Sequence, residues 1–374
     1  MNGRSMGPAT SISDPCADQA GRHEIAAWLR GEYPGGDDAL FAAARRALER
    51  TVGPEVWMRG LLEYSNYCRC DCHYCGIRRS AEVSRFDLTD EEIVAAAREC
   101  ADAGFGSMTL QAGERRDRRS IVRIERLIRK IKTVTYREGL PEGLGLTLSL
   151  GEQREETYRR WYDAGAHRYL LRIETSNPSL FAQLHPTRQT FSDRVTALRT
   201  LKRVGYQLGT GVMIGIPGQT IDDLAADVRF FRDIDADMIG MGPYIPSVAA
   251  ARTFRRAADR SVAERLQLSL RMIAVTRLTI PDLNIAATTA LQALAPTGRE
   301  AGLAAGANVM MPIVTPMSRR QSYQLYDGKP CLDEDSVACR ACTPARAARL
   351  GRPVVPDAWG DAPHAHRRKG AEYE

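Results

Sequence analysis

Apolar and polar positions alternate in two registers along the chain. Short apolar or β-branched runs lie near 57–65, 106–111, 145–150, 168–173, 207–214, 237–241, 283–286 and 307–312, and they read as strands. Amphipathic stretches separate them. Ile121, Ile124, Ile128 and Ile131 recur at helical spacing, as do Leu224, Val228 and Phe231. Thr89 with Glu92, and Thr220 with Asp223, mark helix starts of the capping-box kind. Two more helices are expected at 22–31 and 37–51, behind a small and polar stretch, 1–20, that reads as disordered. Strand–helix units repeated some eight times favour a (β/α)8 TIM-type barrel, a fold of about 250 residues. A doubly wound open sheet is the alternative, because periodicity does not show closure. The expected organisation is a disordered 1–20, N-terminal helices over 21–54, a barrel over 55–315, and a C-terminal extension over 316–374 ending in a polar tail. In either fold, ligands gather at the C-terminal ends of the strands.

Composition narrows the class. The 374 residues, 44% hydrophobic, suffice for one large core or two modest ones. With 52 basic against 46 acidic residues, the net charge of +6 is too mild to imply a nucleic-acid partner. Arg367, Arg368 and Lys369 read as a solvated tail. There is no apolar run of membrane-spanning length, and the start MNGRSMGPATS lacks the apolar core of a signal peptide, so a cytoplasmic protein without a membrane partner is expected. Nine cysteines in a reducing compartment do not make a disulfide framework. Their clustering carries the information, with four between Cys68 and Cys75, three between Cys331 and Cys342, and Cys16 and Cys100 standing alone.

Cys68, Cys72 and Cys75 form a CxxxCxxC motif directly after the first expected strand. A loop with this spacing can wrap one face of a cubane, placing three thiolates on three irons and leaving the fourth iron open to an exogenous chelator. The alternative is a zinc site using Cys68, Cys70, Cys72 and Cys75. Zinc takes four tetrahedral ligands, normally from two separated pairs, and this short run would force a strained loop. Cys70 interrupts the motif and is expected to point away from the cluster, as a spectator or an alternative ligand.

With Tyr74 before its third cysteine, the motif resembles the radical S-adenosylmethionine (SAM) signature. The resemblance implies a 4Fe–4S cluster whose open iron is chelated by the methionyl amino and carboxylate groups of SAM. Reductive cleavage then gives methionine and a 5′-deoxyadenosyl radical. Further segments extend the match: Gly76-Ile77-Arg78-Arg79, Leu110-Gln111-Ala112-Gly113-Glu114, Thr147 to Glu152, Arg168 to Thr175, Gly215 to Thr220, Ala287 to Ala290 and Gly306 to Pro312. Together these resemble the FeFe-hydrogenase maturase HydE family over about residues 55 to 345. The spacing of Cys331, Cys339 and Cys342 adds to this, since many members carry an accessory iron–sulfur site there. That resemblance implies a second cluster not needed for the main reaction; a zinc site with a fourth non-cysteine ligand, or unligated thiols, are the alternatives.

The resemblance also implies residue roles. Glu114, with Gly113 allowing close approach, takes the methionyl ammonium. Ser149, Glu174 and Arg194 contact the rest of SAM, with Arg194 forking onto its carboxylate. Thr147, Arg172, Thr288, Thr289, Met311 and Tyr323 line the substrate cavity. Arg172 has its own signal, because a guanidinium in an apolar strand needs an anionic partner, and Glu174 is the candidate. Departures from the family pattern fall near the expected cavity mouth: Ile173 where the family commonly has histidine, Pro246-Ser247-Val248-Ala249 in place of a more polar segment, and the Cys70-bearing loop. The expected function is a maturase acting on a small iron complex of cysteine, carbon monoxide and cyanide. A ferredoxin or flavodoxin would supply electrons, and other hydrogenase maturases would be partners. A related enzyme on an organic substrate, such as a methylornithine-synthase-like mutase or a sulfur-inserting synthase, is the rival reading.

Overall fold

The computed structural model describes residues 20–256, 260–332 and 336–371, the side chains of 336–341 and 369–371 excepted. The expected disordered stretch lies outside the described residues apart from Ala20, and so does Cys16.

Eight parallel strands appear where the apolar runs lie: β1 Trp57–Ser65, β2 Ser107–Ala112, β3 Gly145–Ser149, β4 Ala166–Leu170, β5 Gln207–Thr210, β6 Met238–Ile239, β7 Asn284–Ile285 and β8 Val309–Met310. Their order is β8-β1-β2-β3-β4-β5-β6-β7. Ala286 bridges Val309 in parallel, and the Asn308 N–H donates to the Ile285 carbonyl at 2.9 Å. The two ends of the sheet therefore meet, which selects the barrel over the open sheet. The runs expected at 207–214 and 237–241 are each broken into two. Outer pieces Met213–Ile214 and Gly242–Pro243 pair separately. At the break, a Cβ on Gly211 would stand 2.0 Å from the Gly240 carbonyl oxygen, so glycine permits a backbone approach that a regular ladder does not need.

Helices cover the outside as their patterns require. Both capping boxes form, at Thr89 with Glu92 and at Thr220 with Asp223. In helix Arg118–Val134, Ile124, Ile128 and Ile131 are buried and Ile121 is half-buried. Leu224, Val228 and Phe231 are buried in helix Ile221–Asp233. The N-terminal helices Arg22–Arg30 and Gly36–Thr51 pack on helix Val262–Thr279.

The C-terminal segment corrects one expectation. Rather than a solvated tail, it returns to the N-terminal ends of the strands and plugs the barrel floor. Val354 bridges Val56. The Gly360 carbonyl accepts from Arg59 Nη2 and Asn284 Nδ2, both at 2.8 Å. Arg368, 20% exposed, pairs with Asp237, whereas Arg367 pairs with Asp282 but stays solvated as expected, with 70% of its side chain exposed; the Lys369 side chain lies outside the described residues. His364 sits between Asp235 at 2.6 Å and Asp282 at 3.0 Å. Hydrogen bonds to these carboxylates raise its pKa to about 9. A histidine with a raised folded pKa stabilises fully below its unfolded value of about 6.5. The thermal-stability margin of the native chain over His364→Gln is therefore expected to be constant below that pH. It should shrink as pH rises and vanish above about 9; a margin that grows with pH would contradict the assignment.

No helix among the described residues is long and apolar enough to cross a membrane.

Candidate active site

A cavity of about 360 Å³ opens at the C-terminal ends of the strands. Its wall brings together Cys68, Cys72, Cys75, Tyr74, Gly113, Glu114, Ser149, Glu174 and Arg194, together with Thr147, Arg172, Thr288, Thr289, Met311 and Tyr323. Residues scattered over some 250 positions in sequence thus converge on one space.

The cysteine loop leaves β1 through buried Asn66. Its Oδ1 accepts from the Phe86 N–H at 2.8 Å, and its Nδ2 donates to the carbonyls of Ser84 and Ser322, both at 2.7 Å. Arg85 then ties the loop from within, donating to the carbonyls of Asn66, Ile77, Arg78 and Ala81 at 2.6–3.0 Å. One guanidinium satisfying four carbonyls lets an irregular loop be half-buried without orphaned acceptors. Gly113, just beyond β2, backs the first cysteine: a Cβ there would lie 2.4 Å from the Tyr67 carbonyl oxygen and 2.6 Å from Cys68 Cβ. Gly113→Ala is expected to displace the loop and lower iron incorporation several-fold while barrel ellipticity is kept. Full iron content in that variant would show that the contact is not needed.

Cys68, Cys72 and Cys75 are half-buried and Cys70 is buried. Cys70 does not point away. Its N–H lies 3.4 Å from Cys68 Sγ, and its thiol side chain hydrogen-bonds the Cys68 sulfur. That bond brings the Cys68 pKa down to about 7. Burial, and then the neighbouring Cys68 thiol, pushes Cys75 up to about 12. Burial and the Cys75 thiol raise Cys72 in the same way, against the pull of Arg194. Cys72 and Cys75, whose ionisation is opposed by burial and by neighbouring thiols, suit a shared cationic core that would neutralise them together. Among the described residues, no three His, Cys, Asp or Glu side chains converge as they would on a single ion.

Beside the thiols runs a charged chain. Glu114 Oε2 accepts from the Glu152 N–H at 2.8 Å, and its Oε1 pairs with Arg116 at 2.9 Å and Arg69 at 3.3 Å. Glu152 Oε1 holds Arg194 Nε at 2.6 Å. Arg194 is buried on helix Phe191–Val204 rather than solvated. Burial works against its charge, but Glu152 more than offsets this and lifts its pKa. Glu174 takes φ +66°, a conformation costly for a non-glycine residue. This aims its carboxylate into the cavity, where Oε1 accepts from the Tyr74 hydroxyl at 3.2 Å and Oε2 lies 3.1 Å from Arg172 Nη2. The Arg172–Glu174 pairing forms as expected. However, β4 ends at Leu170, so Arg172 lies beyond the strand and keeps a third of its side chain exposed.

On the deeper wall, Thr147 Oγ1 accepts from Arg168 Nε at 3.1 Å. Thr288 donates to the Met241 carbonyl at 3.2 Å and precedes helix Thr289–Leu294, while Thr289 shares a 2.9 Å bond with Tyr326. Cys331 and Cys342 stand outside the cavity wall. Cys342 Sγ accepts from Arg346 Nε at 3.3 Å, and the Cys339 side chain lies outside the described residues. Sequence reasoning missed Arg85, Glu152, Tyr326 and the buried pair Glu63–Lys329. A signal for Glu63 was present: Arg59, Leu61 and Glu63 alternate along β1 and all face inward, so a carboxylate repeats in register with core positions.

A closed parallel barrel with a thiol loop after its first strand defines a class, and the Radical SAM superfamily profile matches residues 62–231. The chain is a radical SAM enzyme, which implies a 4Fe–4S cluster and SAM as cofactors. It is 43% identical over 327 residues to the FeFe-hydrogenase maturase subunit HydE of Thermotoga maritima, covering 87% of this chain and 89% of that one. The chain belongs to the HydE family. It is also 28% identical to 3-methylornithine synthase of Methanosarcina barkeri, over 82% of this chain and 83% of that one. Among solved structures it resembles methylornithine synthase (PylB), with a TM-score of 0.76 at 25% identity, covering 91% of this chain and 96% of that one.

Proposed function

We propose that this chain carries out the HydE step of FeFe-hydrogenase maturation. In that step a small iron complex of cysteine, carbon monoxide and cyanide meets a 5′-deoxyadenosyl radical in the barrel. The observation that carries this reading is one cavity whose wall holds Cys68, Cys72 and Cys75 together with Arg172, Thr288, Thr289, Met311 and Tyr323, in a chain 43% identical to HydE.

Cys68, Cys72 and Cys75 would hold the 4Fe–4S cluster. When bound, the cluster supplies the electron that cleaves the carbon–sulfur bond of SAM. The protein's own part is positioning and shielding. Glu114, braced by the Glu152 N–H and Arg116, presents a carboxylate for the methionyl ammonium. Arg194, kept charged by Glu152, faces the methionyl carboxylate. Ser149, Tyr74 and Glu174 are the polar groups left for the adenosyl moiety. Arg172 and the paired threonines orient the substrate. The low polarity of the remaining wall — Leu61, Ile77, Leu170, Met213, Met311 — keeps water from the radical. An electron donor such as a ferredoxin or flavodoxin, the other hydrogenase maturases, and a second iron–sulfur site on Cys331, Cys339 and Cys342 belong to the same proposal.

The test is anaerobic incubation of the reconstituted, reduced enzyme with the cysteine-ligated iron complex. Substrate-dependent 5′-deoxyadenosine is the expected result. Formation no faster than the uncoupled background, together with stimulation by a basic amino acid, would favour the organic-substrate reading instead.

A further inference from the structure

Residues 323–329 are laid across the cavity as a strap. Each end and the middle are fastened to a different element. The Gln111 side chain reaches the Tyr323 hydroxyl at 3.4 Å. The Leu325 carbonyl accepts from the Gly76 N–H at 3.0 Å. Tyr326 bonds Thr289 at 2.9 Å. The Asp327 N–H donates to the Pro246 carbonyl at 3.0 Å, and the Asp327 carboxylate accepts from the Val248 N–H at 3.0 Å. Glycine at 76 is required by this closure, because a Cβ there would stand 2.0 Å from the Gln324 carbonyl oxygen. The strap thereby joins the cysteine loop, β2, the 246–248 loop and the residues after β7. It also contributes Tyr323, Leu325, Tyr326 and Lys329 to the cavity wall.

Its far end carries a buried ion pair. Lys329 Nζ lies 2.5 and 2.6 Å from the two carboxylate oxygens of Glu63 and 2.9 Å from the Tyr323 carbonyl. The side chains are 3% and 1% exposed. All three ammonium protons are thus used, two on β1 and one on the strap itself, so Lys329 has none left for a ligand. Its ammonium also lies 5.3 Å from the Tyr323 ring centroid. A buried pair of this kind contributes little net stability compared with apolar side chains of similar volume, but it fixes one arrangement, and losing either partner leaves a charge without compensation.

We propose that Glu63–Lys329 is a latch that holds the 323–329 strap closed over the substrate side of the cavity. Lys329 is then a positioning residue, setting Tyr323 and Tyr326 and keeping the radical coupled to its substrate. The coupling half of this proposal rests on the function proposed above; the latch half does not. Two variants of the reconstituted full-length enzyme test it, Lys329→Met and Glu63→Gln, so that a folding failure of one leaves the other. In hydrogen–deuterium exchange, amides of 323–331 should exchange about tenfold faster in both variants, with β1 to β4 amides unchanged. Iron content and SAM binding should stay native, while 5′-deoxyadenosine formed per iron complex consumed rises several-fold. Unchanged strap exchange overturns the latch. Faster exchange with undiminished coupling overturns the positioning role. If the native enzyme itself shows no substrate-dependent cleavage, the functional reading fails, and the exchange arm still decides the latch.

Discussion

Cys72→Ala is expected to abolish SAM cleavage, with 5′-deoxyadenosine falling to the level of enzyme lacking iron, while the circular dichroism of the barrel stays native. Cys72 is the middle thiol of the three, its ionisation opposed by burial and by Cys75 and helped by Arg194. Without it, Cys68 and Cys75 alone cannot support a three-iron face. Cys70 stands close enough to Cys68 to be considered a substitute ligand. Its thiol, however, is engaged with Cys68, and burial and its neighbours hold it strongly protonated. Cys70→Ala is therefore expected to retain a 4Fe–4S spectrum and substantial cleavage activity. The pair of variants is measured by iron and sulfide content, the spectrum of the reduced cluster, and 5′-deoxyadenosine yield. Cleavage surviving in Cys72→Ala, or lost in Cys70→Ala, would reassign the ligands.

The contrast between Cys72 and Cys70 indicates what the sequence could convey. Spacing alone located the thiol loop, because three ligands of one cubane must follow each other closely. Period and capping located the strands and helices to within a few residues, because each element buries one face. The convergence of Glu114, Glu174, Arg194 and Arg172 on one cavity was legible through family resemblance. The direction of the Cys70 side chain was not, since it depends on how Arg85 folds the loop from a position ten residues beyond Cys75. The break in β5 and β6 at Gly211 and Gly240 was likewise hidden, because it reflects the approach of two strands and not the pattern of either. The same holds for the C-terminal segment. Its polar composition resembles a solvated tail, and only the barrel floor supplies the partners that bury it.

That floor gives the second large expected effect. Arg59 on β1 and Arg168 on β4 are almost wholly buried inside the barrel. The nearby carboxylate is Asp361, 2.7 Å from Arg168 Nη1 and 3.1 Å from His167 Nε2. Burial works against its ionisation, yet His167, Arg168 and Arg59 together hold its pKa far below the usual carboxylate range. Arg59 and Arg168 repel one another, and burial already lowers the pKa of each. Replacing Asp361 by alanine therefore removes the counter-charge for two buried guanidinium groups, at an expected cost of about 3–5 kcal/mol in unfolding free energy. The acid dependence follows from the sign of the shift. A depressed carboxylate stabilises fully above its unfolded pKa of about 3.9 and loses that contribution only as pH falls through the folded value. Urea unfolding of the native chain and Asp361→Ala should thus differ by a constant margin from neutral pH down to about pH 4, and the margin should close in stronger acid. Arg59 and Asn284 also line the cavity, and both bond the Gly360 carbonyl next to Asp361. A margin below about 1 kcal/mol would mean that water reaches Arg168 from below and that the C-terminal segment is a cover and not the electrostatic plug of the barrel.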